Sequence, residues 1–183
     1  MLLKILLAVA AIVVLVVAVL AVVVVMQPSE FRIQRSAIIA APAPAVFAQV
    51  NDFHNWEAWS PWAKLDPSVK NSFEGAPAGT GASFAWAGNS KVGEGRMTIV
   101  ESRPSELVRI KLEFLKPFAA TNTAEFTFTP EGDRTTVTWS MYGHNNFAAR
   151  AIGVVVNMDK FLGGEFEKGL ASMKSVAEAS AKK

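Results

Sequence analysis

Residues 123 to 142 read TAEFTFTPEGDRTTVTWSMY, two runs of alternating character joined by a turn. Ala124, Phe126 and Phe128 fall on one side of the first run, and Val137, Trp139 and Met141 on one side of the second. Thr136, Thr138 and Ser140 take the opposite side of the second run. Side chains alternate across a strand, so this pattern describes a sheet with one face on a core and one in water. Pro130-Glu131-Gly132-Asp133 is a connection short enough to make the two strands antiparallel neighbours.

The same pattern continues upstream. Leu107 to Leu115 alternates strictly, with Val108, Ile110, Leu112 and Phe114 on one face and Arg109, Lys111 and Glu113 on the other. Gly95 to Glu101 precedes it, Ala82 to Trp86 follows the Gly79-Thr80-Gly81 turn, and Val69 to Phe73 is a weaker first run. Together these predict a meander of about six strands.

An earlier strand, Phe31 to Ile39, is stopped by Ala41-Pro42-Ala43-Pro44. Pro44 suits a first helical turn and predicts a short helix over Ala45 to Val50. Asn51 or Asp52 can cap a second short helix through Trp59, ended by Ser60-Pro61, with Phe53, Trp56 and Trp59 along one edge. After Tyr142 the period changes. Met158, Leu162, Phe166, Leu170, Met173 and Ala177 recur at steps of four and three, the stripe of a long amphipathic helix. Gly163-Gly164 lies inside it at about 1 kcal/mol per residue relative to alanine. That cost implies that something passes close there, and a neighbouring strand packed against the pair is the favoured explanation.

The N-terminus is of another kind. From Ile5 to Met26 there is no polar or charged residue, a run of about the 20 residues that cross a bilayer as a helix. It is longer than the apolar core of a signal peptide and ends in Val24-Val25-Met26-Gln27-Pro28 without a small-residue cleavage pattern. We read residues 1–27 as an uncleaved single-pass anchor and residues 28–183 as the globular domain. Lys4 and the amino terminus favour a cytoplasmic short end and an extracytoplasmic, periplasmic domain; Arg32 and Arg35 on the other flank are the opposing cue. The expected class is thus α+β: strand, two short helices, antiparallel meander and long C-terminal helix, preceded by one transmembrane helix.

Composition removes several functions. The formal charge is only +2, from 18 Lys and Arg against 16 Asp and Glu, and no basic run stands out, so nucleic acid is not an expected partner. With no cysteine and two histidines, His54 and His144, no metal site is expected. No nucleophile motif occurs, and Gly79-Thr80-Gly81 lacks the third glycine and the following helix of a dinucleotide loop. No cofactor and no catalytic residue are therefore assigned. His54, Asp52, Glu57, Asp66, Tyr142 and His144 lie at element ends where general acid–base chemistry is conceivable, but capping and solvation are the favoured reading of the acids and a structural role that of His54.

The element order resembles the helix-grip fold of the START-like (SRPBCC) superfamily. Arg35-Ser36 with Ile38, Ile39, Ala41-Pro42 and Val46-Phe47 is similar to its opening strand and helix. Asn51-Asp-Phe-His-Asn-Trp56 with Trp59-Ser-Pro-Trp62, Gly93-Glu-Gly95, and Gly164-Glu-Phe-Glu-Lys-Gly-Leu170 resemble the bacterial polyketide cyclase/dehydrase-like subgroup. The resemblance runs over about residues 31–178. It implies a cavity between sheet and long helix that holds a hydrophobic or amphipathic small molecule, a lipid included. Some members are enzymes and many only bind or carry.

The inward-facing residues are the candidates for that cavity. Phe84, Trp86, Met97 and Ile99 come from the first strands of the meander, and Ile110, Leu112, Phe126 and Phe128 from its middle. Trp139 and Met141 come from its last strand, and Leu162 and Phe166 from the helix. In the helix-grip arrangement Phe53, Trp56 and Trp59 pin the short helices to one end of the sheet, and Trp62, beyond Pro61, is freest to face the cavity mouth. Large rings can fill such a space or line a pocket of about 300–1,000 Å³. The expected function is a membrane-tethered binding domain. The alternatives are a cyclase- or hydratase-type enzyme in the same cavity, or a structural or interaction domain with a filled core.

Overall fold

The hairpin at residues 123–142 sets Phe126 opposite Trp139 and Phe128 opposite Val137, so its two apolar faces coincide. In the computed structural model, which describes residues 1–181, this hairpin forms the second and third strands from one edge of a seven-stranded sheet. The chain runs α1 (Leu2–Met26), β1 (Glu30–Ile39), α2 (Ala43–Asn51), a 3-10 helix (Phe53–Ala58), then β2 (Lys70–Gly75), β3 (Ala82–Ala87) and β4 (Glu94–Arg103). It continues with β5 (Leu107–Lys116), β6 (Ala120–Glu131), β7 (Arg134–His144), α3 (Phe147–Val155) and α4 (Met158–Ala181). The strand order is β1-β7-β6-β5-β4-β3-β2. The meander closes on the first strand, and one long helix follows. This is the helix-grip fold.

The chain divides into two compact units. The first is Met1–Phe31 with His144–Met158. It holds α1, whose most apolar window has a mean hydropathy of 3.5, and α3, which the sequence reading did not assign. Asn146 caps α3 by accepting from Ala149 N at 2.9 Å.

The second unit is Arg32–Gly143 with the chain from Asp159 onward. Register breaks between Glu94 and Gly95 and between Ile99 and Glu101 mark β-bulges in β4, which bend a sheet. The bent inner face carries Ile99, Ile110, Phe126 and Val137, each at most 1 % exposed. α4 adds Phe166, Leu170, Met173 and Ala177, while Leu162 is half-buried and Met158 exposed. The glycine pair does not interrupt the helix.

Polar contacts tie α4 to β1. Lys174 Nζ donates to Ile38 O at 2.9 Å, and Ala40 N donates to Glu178 Oε1 at 2.8 Å. Arg35 Nε donates to Glu167 at 2.8 Å, and its Nη atoms bond Asp159 at 3.0–3.1 Å. The bonds to Asp159 first, and then to Glu167, raise the Arg35 pKa, and the bond from Arg35 lowers that of Asp159.

Candidate ligand site

The inner face is read best from Trp139. Its ring stacks on Phe166 of α4 at 4.2 Å and on Phe126 at 4.8 Å, and meets Trp59 and Trp62 edge-on at 5.6 and 5.7 Å. Gly169 makes this possible, since a β-carbon there would stand 2.8 Å from Trp139 Cζ3. Between β6, β7 and α4 the protein's own rings are thus in mutual contact. Yet the indole nitrogen of Trp139 is buried and has no hydrogen-bond partner among the described groups.

The other tryptophans are satisfied. Trp56 donates to Val50 O at 3.0 Å and Trp59 to Gln49 O at 2.9 Å, which fastens the 3-10 helix to the end of α2. Asp52 caps that 3-10 helix by accepting from His54 N at 2.9 Å. Both rings are buried, the structural role their spacing implied. Trp62 lies beyond Pro61, half-buried, beside the Trp139–Phe166 stack and edge-on to both rings.

Towards β2 the same inner face opens. Phe84 lies 5.3 Å from Phe73, 6.0 Å from Phe53 and 6.1 Å from Trp86, which in turn meets Phe114 edge-on at 6.1 Å. Trp86 lies across Gly95, where a side chain would collide with the ring, and donates to Val92 O at 3.0 Å. Phe84, Trp86 and Phe114 are half-buried, and Phe73 is 45 % exposed. The wall they form is aromatic and partly exposed.

The expected lining residues therefore divide by position. Ile99, Ile110, Phe126, Phe128 and Phe166 are deep in the packing, and Met97, Leu112, Trp139 and Met141 are buried beside them. Trp62, Phe84, Trp86 and Leu162 are partly open. Phe53, Phe73 and Phe114 belong to the same wall although the lining set omitted them. Phe114 was legible from the alternation in β5; Phe73 is the only large apolar residue of β2 and gave no pattern. A separate hollow of about 290 Å³ involves Lys70, Ser72, Ala85, Glu94 and Arg96, whose register puts them on the opposite face from Phe84.

The titratable candidates scatter. His54 stacks on Phe73 at 4.1 Å, and its Nδ1 sits 2.7 Å from Asp52 Oδ1. Asp66 is 2 % exposed and accepts from Ser68 Oγ, Ser68 N and Asn89 N at 2.7–2.9 Å. The Ser68 hydroxyl, then the Asn89 and Ser68 amides, hold its carboxyl below the usual range. Tyr142 bonds Glu125 at 3.2 Å, and Glu125 also accepts from Arg109 Nε at 3.0 Å, first among the causes that raise the Arg109 pKa. His144 sits 3.4 Å from Glu30. Among the described residues no three ligating side chains converge on a metal position.

With this geometry in hand, comparison with known proteins is decisive at the family level. The family model for polyketide cyclase / dehydrase and lipid transport matches residues 30–178. The chain belongs to that family. No curated protein matches it. A solution structure from Thermobifida fusca is 23 % identical and covers 80 % of this chain and 92 % of its own, with a TM-score of 0.61. A protein of unknown function from Staphylococcus aureus is 10 % identical over 84 % of this chain and 97 % of its own, at 0.62. A crystal structure from Chromobacterium violaceum is 14 % identical over 83 % of this chain and 99 % of its own, at 0.57. At such identities these neighbours speak for the fold alone. The family, and not any one neighbour, suggests hydrophobic-ligand binding.

Proposed function

We propose that this family member is a membrane-tethered binding domain for a hydrophobic or amphipathic small molecule, a lipid included. α1 is long and apolar enough to cross a bilayer. On this reading it does so with its short end in the cytoplasm and the domain outside. The guest lies against the inner face of the sheet. Trp62 and Leu162 form the rim, Phe84 and Trp86 the wall, and Trp139 the floor. Met97, Leu112 and Met141 back this surface, with Ile99, Ile110, Phe126, Phe128 and Phe166 behind them.

The observation that carries the reading is the unpartnered indole nitrogen of Trp139, buried among rings. A buried donor without an acceptor costs about 1–3 kcal/mol, and native cores rarely leave one so. A guest with one oxygen and an apolar body suits this surface. The oxygen accepts from Trp139 while the hydrocarbon covers the half-buried rings, the usual division between a few polar groups and an apolar lining.

All five tryptophans lie in the globular part, so their fluorescence reports on this site. The full chain in phosphatidylcholine nanodiscs is titrated with a brominated fatty acid. Saturable quenching that weakens several-fold in Phe84→Arg supports the reading. Quenching that rises without saturation and equally in both chains refutes it.

A second reading, an enzyme of the cyclase or hydratase kind, draws on His54. A carboxylate fixed on Nδ1 orients an imidazole and leaves Nε2 to act as a base, and His54 sits on Phe73 beside the aromatic wall. If this reading holds, His54→Ala abolishes turnover of a bound guest without weakening its binding.

A further inference from the structure

α3 carries a single polar side chain, Arg150, among Phe147, three alanines, Ile152, Gly153, Val154 and Val155. None of its residues is buried; Phe147 is 55 % and Val155 83 % exposed. A helix so apolar around its circumference needs a cover, either a protein core or hydrocarbon.

Contacts within its own compact unit indicate which. Arg150 Nη1 donates to Val25 O at 3.3 Å, on the last turn of α1, and Asn145 N donates to Ser29 O at 2.7 Å. α3 is therefore fixed where the apolar run of α1 ends. One side of α1 at that level is itself uncovered, with Val22, Val25 and Met26 each more than half exposed, while Val24 on the other side is buried. An apolar hollow of about 240 Å³ there is lined by Ala21, Val22, Val25 and Met26. If α1 spans a bilayer, this is the depth at which acyl chains give way to headgroups.

We propose that α3 is an interfacial helix whose apolar side, Phe147, Ile152 and Val155, lies in the headgroup–acyl boundary next to the exit of α1. The proposal rests on the reading of α1 as a bilayer-spanning anchor and extends it from one contact with the membrane to two. Interfacial helices sink their apolar face about 5–10 Å into that boundary. Arg150 suits the same level. It is the one charged side chain of α3, and a guanidinium bonds phosphate oxygens in a fork. An anionic headgroup is the ligand this side chain fits.

The chain has no cysteine, so single substitutions give unambiguous labels. Val155→Cys, Phe147→Cys and Val14→Cys full-length chains are labelled with an environment-sensitive fluorophore. Each is reconstituted in phosphatidylcholine–phosphatidylglycerol vesicles carrying doxyl lipids. At positions 155 and 147 we expect a blue shift, and a larger loss of fluorescence from a doxyl group near the headgroup than from one near the chain end. At position 14 the order reverses. If the label at 14 is quenched and those at 155 and 147 are not, α3 does not touch lipid, although the anchor stands. If none is quenched, the anchor reading fails and takes this proposal with it.

Discussion

Arg35 of β1 lays its guanidinium over Gly163 of α4, so close that a β-carbon at that position would collide with Nη2, Cζ and Nε together. The space beside Gly164 is open. Of the glycine pair in the helix stripe, then, the first admits a strand's side chain and the second only weakens the helix. That is the neighbouring-strand explanation of the pair, with a side chain in place of backbone.

Gly164→Ala is accordingly expected to stabilise the domain by about 1 kcal/mol through helix propensity. Gly163→Ala gains the same propensity but displaces Arg35 from Asp159 and Glu167, and so gains less. In an Arg35→Ala background the difference between the two substitutions closes. Denaturant unfolding of the six chains, each background alone and with either substitution, checks this; equal effects at 163 and 164 in the wild-type background would contradict it.

Gly169 answers to a ring. Its missing β-carbon is the space for Trp139 Cζ3, and Pro61 Cδ would lie 3.0 Å from the same atom. Overpacking costs about 1–3 kcal/mol, more than alanine's gain of about 1 kcal/mol in the helix. Gly169→Ala therefore lowers Tm, and adding Trp139→Phe, which removes the ring edge in the way, recovers part of the loss.

Acid sensitivity is traceable to Asp66. Its carboxyl is held below the usual range by the Ser68 hydroxyl and by the amides of Asn89 and Ser68. A depressed folded pKa adds stability above the unfolded value of about 3.9 and loses it as pH falls below that towards the folded value. Asp66→Asn should melt earlier than wild type at neutral pH, with the gap narrowing below about pH 4. A gap constant with pH would show that the carboxylate's charge is irrelevant to folding.

The anchor has its own test. Two lysines at Val14 and Val17 cost about 2.5–3.5 kcal/mol each in the middle of an inserted helix. Wild-type chain is expected to stay with membranes after alkaline extraction, and the Val14→Lys/Val17→Lys chain to be released. Release of both would remove the membrane from the function.

What the sequence determined by itself was the order of elements and the side each strand residue faces. Alternation in Leu107–Leu115 and Thr123–Tyr142 is a local property, because a pleated chain has no choice about where successive side chains point. The step of four and three from Phe166 to Ala177 is local in the same sense, as is the uninterrupted apolar run before Gln27. The pairing of Trp56 and Trp59 nitrogens with α2 carbonyls was nearly as accessible, since partner and donor lie within ten residues.

Only the tertiary structure decided what the inward side encounters. Trp139 and Phe84 are both inward by pattern, yet one is stacked under α4 and the other is half open, because the covering element comes from far along the chain. The close approaches of Arg35 to Gly163 and of Trp139 to Gly169 join residues far apart in sequence, and no window of sequence contains both partners. α3 was hidden for a different reason: an apolar helix of nine residues beside a longer one has no period of its own, and its meaning lies in what it leaves uncovered. Local stereochemistry fixes direction; contact depends on which distant surface arrives.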